Sequence, residues 1–273
     1  MPELPEVETV CRTLRAVVPG HRIIHVEVLQ HRLRVPVRRD FKSLLLGKKI
    51  IDIQRKGKYI LLMMEGEIVW VSHLGMSGKL IYVATERPRE VHDHIFVRLD
   101  HGFDLRYHDP RRFGLAAVMR TLQLGDWPRI RDLGPDPLGP DFVASRLYAR
   151  TRSSRRKIRD LLLDQSVVAG LGNIYVNELL FYAGIRPTTR AFRLARERVA
   201  QIAGRAPQLL SEAIQWGGTS FSDYRDGQDR RGEFQQHLRV YGREGERCRR
   251  CLQLIKRVSL GSRSAFYCPV CQK

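Results

Sequence analysis

Four cysteines near the carboxyl end have the clearest chemical signature in the sequence. They form two Cys-x-x-Cys pairs, Cys248/Cys251 and Cys268/Cys271, with sixteen residues between the pairs. Each pair offers two thiolates, and a tetrahedral zinc ion needs four ligands. Because sulfur would fill every position, none is left for water or substrate, and the sequence predicts one structural zinc ion. Two disulfides are the alternative, which a reducing compartment disfavours.

The segment between the two pairs is basic and ends in an aromatic Phe266-Tyr267 pair. The simplest geometry for it is a two-stranded finger that presents an arginine at its tip. The fifth cysteine, Cys11, lies on the apolar face of a predicted helix, where an inert core thiol is expected.

The amino terminus has two interpretations. Pro2, Glu3 and Glu6 suit the first turn of a helix, where proline fits and glutamate offsets the positive helix end. Alternatively, removal of Met1 would make Pro2 a terminal secondary amine. Such amines have a pKa of about 7.7–8.0, so a useful fraction is free base at neutral pH. That amine could attack a sugar carbon at the aldehyde level and form an iminium, while Glu3 and Glu6 move protons.

The surrounding elements follow from hydrophobic spacing. Apolar residues at helical intervals predict a first helix that Pro19-Gly20 ends. Short β-branched and aromatic runs then alternate with turn residues, which is typical of a sandwich or a barrel. The predicted strands are Ile23–Val28, Lys49–Ile53, Tyr59–Met63, Ile68–Val71, Lys79–Val83, Ile95–Leu99, Phe103–Tyr107 and Leu115–Val118.

A proline- and glycine-rich run, Leu133–Asp141, marks a domain boundary. Beyond it, helical spacing predicts helices around Ile158, from Ile174 to Tyr182, and from Val199 to Ala213, although Gly204 and Pro207 interrupt the last one. We therefore expect an α+β multidomain protein with a β-rich domain at 1–133, a linker at 134–149, a helical domain at 150–243 and a zinc finger at 244–273.

Charge indicates the class of partner. Lys and Arg number 48 against 29 Asp and Glu, a formal net charge of +19, while 43% of residues are hydrophobic. That apolar content excludes global disorder, and the excess of arginine favours nucleic acid over an anionic membrane surface. The longest apolar stretch is interrupted by polar residues and no secretory signal opens the chain, so a cytoplasmic protein is expected.

The sequence resembles the bacterial formamidopyrimidine-DNA glycosylases along essentially its whole length. The opening Met1-Pro-Glu-Leu-Pro-Glu-Val-Glu-Thr9 and the four-cysteine finger carry the resemblance first. Further motifs follow in order: Gly57-Lys58-Tyr59, His73-Leu-Gly-Met-Ser-Gly78, His92-Asp-His94, Asp109-Pro-Arg-Arg-Phe-Gly114, Gly172-Asn-Ile-Tyr175 and Val240-Tyr-Gly-Arg243. The resemblance implies an N-terminal β-sandwich with a leading helix, a helix-two-turn-helix domain and a β-hairpin zinc finger.

The resemblance also implies an activity. The family excises oxidised purines such as 8-oxoguanine and formamidopyrimidines from duplex DNA, and then cuts the strand by β,δ-elimination. Pro2 is then the nucleophile and Glu3 the acid–base residue. Lys58 matches an essential lysine assigned to proton donation or phosphate contact, and Arg263 matches a finger-tip arginine that contacts phosphate. No organic cofactor is expected, since the iminium is the electron sink, and a monomer is expected.

Other site residues follow from the same resemblance. A base must leave the duplex before it can be attacked, and the vacated stack must be filled. The matching positions that fill it are Met76, Arg111 and Phe113; those that contact DNA are His92, Arg111, Arg155 and Asn173; those at the base pocket are Glu6 and Thr219. Thr219 belongs to the loop 217–233, which corresponds to the family's lesion-capping loop.

Several of these residues have simpler interpretations. Met76 and Phe113 could be core residues, and Lys58 an exposed residue at the start of a strand. The basic run from Arg150 to Arg159 could be a solvated face or could follow phosphates; it has Arg159 where the family commonly has lysine.

Two other functions compete with this one. An endonuclease VIII-like enzyme for oxidised pyrimidines would usually have glycine in place of Leu4. A non-catalytic zinc-finger DNA-binding protein would keep the charge and the cysteines without needing a processed Pro2.

Overall fold

The first helix, α1 (Leu4–Arg15), buries the apolar stripe that its sequence predicts, with Val7, Val10 and Leu14 among its buried residues. The computed structural model describes residues 1–221 and 224–273. Contacts divide the chain into two units, Met1–Arg131 with Trp216–Gln235, and Asp132–Gln215 with Gln236–Lys273. The loop that the sequence analysis counted with the helical domain is thus grouped with the first unit, and the domain boundaries given above stay predictions.

The described residues of the first unit form eight strands, and each coincides with a predicted strand to within three residues at either end. They are β1 (Ile23–Val28), β2 (Ile50–Lys56), β3 (Tyr59–Met64), β4 (Ile68–His73), β5 (Lys79–Ala84), β6 (Asp93–Leu99), β7 (Phe103–His108) and β8 (Leu115–Arg120). They pair antiparallel in two four-stranded sheets, ordered β1-β6-β7-β5 and β2-β3-β4-β8.

One apolar core joins α1 to both sheets. Trp70 of β4 is fully buried in it and meets the ring of Phe41 edge-on, with 5.6 Å between ring centroids. Burial of large aromatic side chains dominates the energetics of a core of this size. The predicted β-sandwich with a leading helix is confirmed.

The first unit also contains short helices that the sequence analysis did not predict, one between β1 and β2 and two after β8. They are α2 (Phe41–Leu45), α3 (Thr121–Leu124) and α4 (Pro128–Arg131). Each is only four or five residues long, and so short a segment shows too little periodicity to be recognised.

The second unit is helical apart from one hairpin. Its helices are α5 (Ala144–Arg152), α6 (Ile158–Leu162), α7 (Asn173–Tyr182) and α8 (Arg196–Gln215). Helix α5 begins inside the segment expected to be a linker. Helix α8 continues through Gly204 and Pro207, because its buried stripe, which includes Ile202 and Leu210, outweighs the lost backbone hydrogen bond.

A two-stranded antiparallel hairpin closes the second unit. Strands β9 (Lys256–Leu260) and β10 (Arg263–Tyr267) are joined at Gly261, whose φ of +63° favours glycine. The predicted finger is therefore confirmed. Within the described part of the chain, no helix is both long and apolar enough to cross a membrane.

Candidate active site and nucleic-acid interface

The start of α1 holds two buried carboxylates. Glu3 precedes the helix and Glu6 lies in its first turn, and they are only 2% and 1% exposed. The Glu6 Oε2 accepts the backbone N–H of Glu3 at 2.8 Å, and the Glu3 side chain accepts the backbone N–H of Glu6 in return. This reciprocal cap fixes the backbone next to Pro2. Met1 is 44% exposed, whereas Pro2 is buried.

The loop 216–235 is fastened to this helix start. The Glu6 Oε1 accepts the backbone N–H of Thr219 at 2.7 Å, so both oxygens of this carboxylate hold backbone amides. Farther along the loop, the Gly227 N–H donates to the hydroxyl of Thr13 at 2.9 Å, and the Tyr82 N–H donates to the Gly227 carbonyl at 2.7 Å. Thr219 is thereby held against the helix that carries Pro2 and Glu3.

Three glycines form the neck of that loop. A Cβ at Gly218 would lie 2.9 Å from the Glu6 carboxylate, and one at Gly232 would lie 2.3 Å from the carbonyl oxygens of both Gly217 and Gly218. Gly217 and Gly218 also have φ of +71° and +79°. Gly218 therefore meets both constraints, Gly232 the close approach and Gly217 the backbone conformation, and each favours glycine.

Lys58 lies in the turn between β2 and β3. Gly57, with φ of +56°, takes the first position of a two-residue hairpin turn, and Lys58 the second. The Arg55 guanidinium bonds Glu8 of α1 at 2.8 Å and the Gly57 carbonyl at 3.2 Å, which ties the turn to the first helix. Lys58 is only 6% exposed, so its interpretation as an exposed basic residue is wrong.

His73 at the end of β4 responds to that buried ammonium. Burial, and then the positive charge of Lys58, lower the pKa of His73 to about 3. Its Nδ1 accepts the backbone N–H of Gly75 at 3.0 Å, which also requires an unprotonated nitrogen. Near neutral pH the imidazole is therefore uncharged, and it adds no repulsion beside Lys58.

Met76, Arg111 and Phe113 lie on two loops that touch. Met76 and Phe113 are 43% and 45% exposed, so neither is the core residue of the simpler interpretation. The Arg111 guanidinium lies 4.8 Å from the centre of the Phe113 ring. The loops approach so closely that a Cβ at Gly75 would lie 2.5 Å from the Phe113 carbonyl carbon. The two loops therefore leave two large apolar side chains exposed, one of them against a guanidinium.

One buried carboxylate joins the two loops. Asp109 is fully buried; its Oδ1 accepts the Ser77 hydroxyl at 2.8 Å and its Oδ2 accepts the Gly114 N–H at 2.8 Å. The Ser77 hydroxyl oxygen in turn accepts the Arg111 N–H at 3.2 Å. The exposed side chains of both loops therefore depend on Asp109 for their position.

His92 is exposed beside the same region. It immediately precedes β6, and its carbonyl accepts the Asp109 N–H at 3.0 Å. Its ring centroid lies 5.9 Å from that of His108. The first unit thus places Glu3 and Glu6 at the start of α1, Lys58 in the β2–β3 turn, and Met76, Arg111 and Phe113 on the two loops.

Asn173 begins α7 in the second unit and holds the hairpin. Its amide donates to the Ser264 carbonyl at 3.0 Å, and its Oδ1 accepts from the Arg159 guanidinium at 2.8 Å. Asn177, one turn later, accepts the Phe266 N–H at 2.7 Å. These bonds fix β10, which starts at the exposed Arg263.

The basic run before α7 divides into two parts. Arg155 is exposed, as a phosphate contact requires. Arg159 is 1% exposed and lies beneath the hairpin, where burial lowers its pKa. Its side chain bonds Asn173 and Asp160 rather than facing solvent, so it positions the hairpin instead of following phosphates.

The four cysteines of the finger come together in the second unit. Their sulfurs all lie within 4.8 Å of one another, with 3.9 Å between Cys248 and Cys271 and 3.4 Å between Cys251 and Cys268. A zinc ion with four Zn–S bonds of about 2.3 Å has sulfur–sulfur distances of about 3.8 Å. The cluster fits one structural zinc ion, as the spacing predicts, and none of the four is in a disulfide.

Comparisons with known families agree with this geometry. Residues 1–116 match the formamidopyrimidine-DNA glycosylase N-terminal domain, residues 133–225 the H2TH domain of the same enzymes, and residues 245–273 the zinc finger found in FPG and IleRS. The chain belongs to the formamidopyrimidine-DNA glycosylase family.

Relatives of this family match the whole chain. The formamidopyrimidine-DNA glycosylases of Hahella chejuensis and Thioalkalivibrio sulfidiphilus are 41% and 44% identical over 100% of both chains. Among solved structures, the Lactococcus lactis Fpg bound to abasic-site DNA superposes with a TM-score of 0.93 at 36% identity, covering 99% of each chain. The same enzyme bound to Fapy-dG DNA gives 0.91 at 36% identity, over 99% of this chain and 100% of that one.

Sequence reasoning missed the buried polar residues that position this formamidopyrimidine-DNA glycosylase site. Asp109 lies in a loop motif and Asn177 in helix α7. In both segments only neighbouring residues were predicted to belong to the site. Glu178 of α7 is 1% exposed and accepts the N–H groups of Arg239, Val240 and Tyr241 at 2.7–2.9 Å. The available signal was a charged residue inside an otherwise apolar helix, which is rarely buried without partners.

The titration of His73 predicts a loss of stability in acid. An unfolded histidine binds a proton near pH 6.5, whereas folded His73 does so only near pH 3. Below pH 6.5 the unfolded state therefore binds more protons, and the free energy of unfolding falls by about 1.4 kcal/mol per pH unit from this group. Urea unfolding between pH 7 and pH 4 measures the slope. The His73→Asn variant should show a shallower slope; an identical slope would refute the assignment.

Asp109→Asn should loosen the two loops. The amide keeps the size but turns an N–H₂ group toward Ser77 or Gly114, so one charged hydrogen bond is lost, at a cost of about 1.5–3 kcal/mol in the free energy of unfolding. Urea unfolding measures it. The matched control is Asp126→Asn, at an exposed position in the same unit, with an expected change within about 0.5 kcal/mol. Equal effects of the two substitutions would contradict the role of Asp109.

Chelation of zinc should unfold the finger and expose its thiols. The finger's small core consists mainly of its own cysteines with Phe181, Val240 and Ile255, so metal binding supplies much of its folding energy. A thiol reagent should modify four cysteines after chelation and few before it. Cys11 is the internal control, since burial raises its pKa to about 12 and keeps it unreactive. Modification that does not depend on chelation would count against the zinc site.

Proposed function

We propose that this chain is a bifunctional DNA glycosylase and abasic-site lyase of base excision repair that removes oxidised purines from duplex DNA. Its family membership supports this, and so do the DNA complexes of its structural neighbours with Fapy-dG and abasic sites. The observation that carries the proposal is the start of α1. There Pro2 is next to the buried Glu3 in the chain, and the Glu6 carboxylate accepts the backbone N–H of Glu3. The same Glu6 carboxylate also accepts the N–H of Thr219.

The first step forms a bond from Pro2 to the sugar. After Met1 is removed, the secondary amine of Pro2 attacks C1′ of the damaged nucleotide as the C1′–N bond to the base breaks, and the base leaves with a proton. Glu3 donates the proton that opens the sugar ring at its oxygen. The result is an iminium between Pro2 and C1′, whose positive charge sits close to the Glu3 carboxylate.

The second step cuts the strand. The iminium acidifies C2′, so loss of a C2′ proton expels the 3′ phosphate, and a further elimination expels the 5′ phosphate. Water then hydrolyses the iminium and releases Pro2. Lys58, buried in its turn, is assigned to donate a proton or to contact a phosphate, and Arg263 at the hairpin is assigned to a leaving phosphate, which a guanidinium suits.

Access to the base requires that it leave the stack. Met76 and Phe113 are large, apolar and exposed, as residues that fill a vacated stack must be, and Arg111 can hydrogen-bond the base left behind. His92, Arg155 and Asn173 are assigned to the DNA backbone. Glu6 is assigned to the pocket as the residue that places Thr219, since both of its oxygens already hold backbone amides.

DNA is thus the partner of both units, and the excess of +19 supports long-range attraction to it. A chromosomal substrate places the work of the enzyme in the bacterial cytoplasm, on the nucleoid while it is bound.

Borohydride trapping tests the covalent step. Reduction of the iminium should join the protein to an oligonucleotide duplex that contains 8-oxoguanine, observed as a band of higher mass on a denaturing gel. Pro2→Gly should trap at least tenfold less. The matched control is Pro36→Gly, at an exposed proline of the first unit, which should trap as wild type does.

Two substrates separate the competing functions. Trapping on 8-oxoguanine in preference to thymine glycol supports the proposal, and the reverse order would favour an endonuclease VIII-like enzyme. If the wild-type protein binds both duplexes but traps on neither, it is a DNA-binding protein without this chemistry, and the proposal fails.

A further inference from the structure

Two histidines and an aspartate form a separate cluster in the first unit. His21 precedes β1, while Asp100 and His101 form the turn between β6 and β7. One ligand atom from each lies within 4.8 Å of those of the other two. Backbone pairing fixes this arrangement, because the Asp100 N–H donates to the Arg22 carbonyl at 3.0 Å.

The distances are close to those between the ligands of one metal ion. The His21 Nδ1 lies 2.9 Å and the His101 Nδ1 lies 3.6 Å from the same oxygen of Asp100. Bonds from zinc to nitrogen and to carboxylate oxygen are about 2.0–2.2 Å, so two ligands at an angle of 90–110° stand about 2.9–3.5 Å apart. One distance falls in this interval and the other lies just outside it.

Neighbouring groups orient the carboxylate and one imidazole. The second oxygen of Asp100 accepts the Arg22 N–H at 3.1 Å, which turns the first oxygen toward the histidines. The His101 Nε2 lies 2.7 Å from the Tyr82 hydroxyl. If Nε2 donates to that hydroxyl, Nδ1 has a free lone pair directed at Asp100. A metal-binding histidine is usually held in this way, through its other ring nitrogen.

The His101 Nδ1 has an unmet requirement. It is buried, and among the residues that the structure describes it has no hydrogen-bond partner. A lone pair that faces a carboxylate oxygen is repelled by it unless a positive charge lies between the two. A proton or a metal cation satisfies that requirement, and the position of the His21 Nδ1 near the same oxygen provides a third ligand.

The cluster is also open to exchange with solvent. The side chains of His21, His101 and Asp100 are 35%, 25% and 42% exposed. The two imidazoles stack with 3.4 Å between centroids and 22° between planes, so binding needs a modest rotation of the more exposed His21 ring to aim both lone pairs at one ion.

We propose that His21, Asp100 and His101 bind one divalent transition-metal ion, of the zinc, cobalt, nickel or copper class, with water completing its coordination. Two imidazoles and one carboxylate suit these metals, whereas magnesium and calcium take oxygen ligands. The ion connects His21, which lies two residues before β1, to the β6–β7 turn. This site is separate from the site that the four cysteines form for zinc.

Cobalt(II) titration of the protein with its cysteine site already filled by zinc tests the proposal. One further equivalent should bind, with weak visible absorption and without the strong near-ultraviolet charge-transfer band that thiolate ligands give. Proton NMR should show the imidazole signals of His21 and His101 broadened by the paramagnetic ion.

Variants assign the bound ion to the cluster. His21→Gln and His101→Gln should each abolish the further equivalent, and Tyr82→Phe should lower the affinity about tenfold, because it removes only the orienting hydroxyl. His25→Gln, at an exposed histidine of β1, is the matched control and should bind as wild type does. Circular dichroism confirms that each variant is folded.

Two results would overturn the proposal. One is the absence of any further equivalent at millimolar cobalt. The other is a further equivalent that persists in both His21→Gln and His101→Gln, since the ion would then lie elsewhere on the surface.

Discussion

The proposed chemistry depends on two hydrogen bonds that the Glu6 carboxylate accepts from backbone amides. One oxygen holds the amide of Glu3 and the other holds the amide of Thr219, although the two lie more than two hundred positions apart in the chain. A charged acceptor in a buried setting makes stronger and better-aligned bonds than a neutral one. The backbone next to Pro2 is therefore held by one buried carboxylate that binds two backbone amides.

The same principle recurs at two other places. Asp109 binds two loops that expose Met76 and Phe113, and Glu178 binds three consecutive amides at Arg239–Tyr241. In each case the carboxylate is buried and loses its hydrogen bonds to water. Hydrogen bonds from protein groups replace them. Loops that must present functional groups to a large polyanion thereby gain rigidity without a hydrophobic core of their own.

Much of the fold could be predicted from local pattern. The strands from Ile23 to Arg120 repeat short apolar runs between turn residues, and the cysteine spacing alone indicated the finger. Partners that are distant in sequence could not be predicted in this way. Lys58 is buried in a turn that Arg55 ties to Glu8 of α1, and Arg159 is buried beneath a hairpin a hundred residues later. Local charge predicted exposure at both, and packing overrode it.

In the candidate site, too, some residues could be predicted from the sequence and others could not. Motifs predicted which residues contact DNA, because their resemblance to a family implies roles that no spacing rule contains. The residues that hold them, such as Asp109 and Asn177, required coordinates, since a buried polar side chain is recognised by its partners. Helix α8 shows the converse. Its apolar spacing predicted a helix interrupted at Pro207, and the buried stripe keeps the helix continuous through that residue.

The glycine neck formed by Gly217, Gly218 and Gly232 has an evolutionary consequence. Close approach at Gly218 and Gly232 and a positive φ at Gly217 and Gly218 favour glycine at these positions, whereas residues of the loop that make no contact with α1 or β5 are less constrained. Under the proposed function, a lineage can therefore change loop residues near an extruded base, and with them its lesion preference, without disturbing the attachment to α1. Diversification of substrate range is in this way separated from inheritance of the catalytic mechanism.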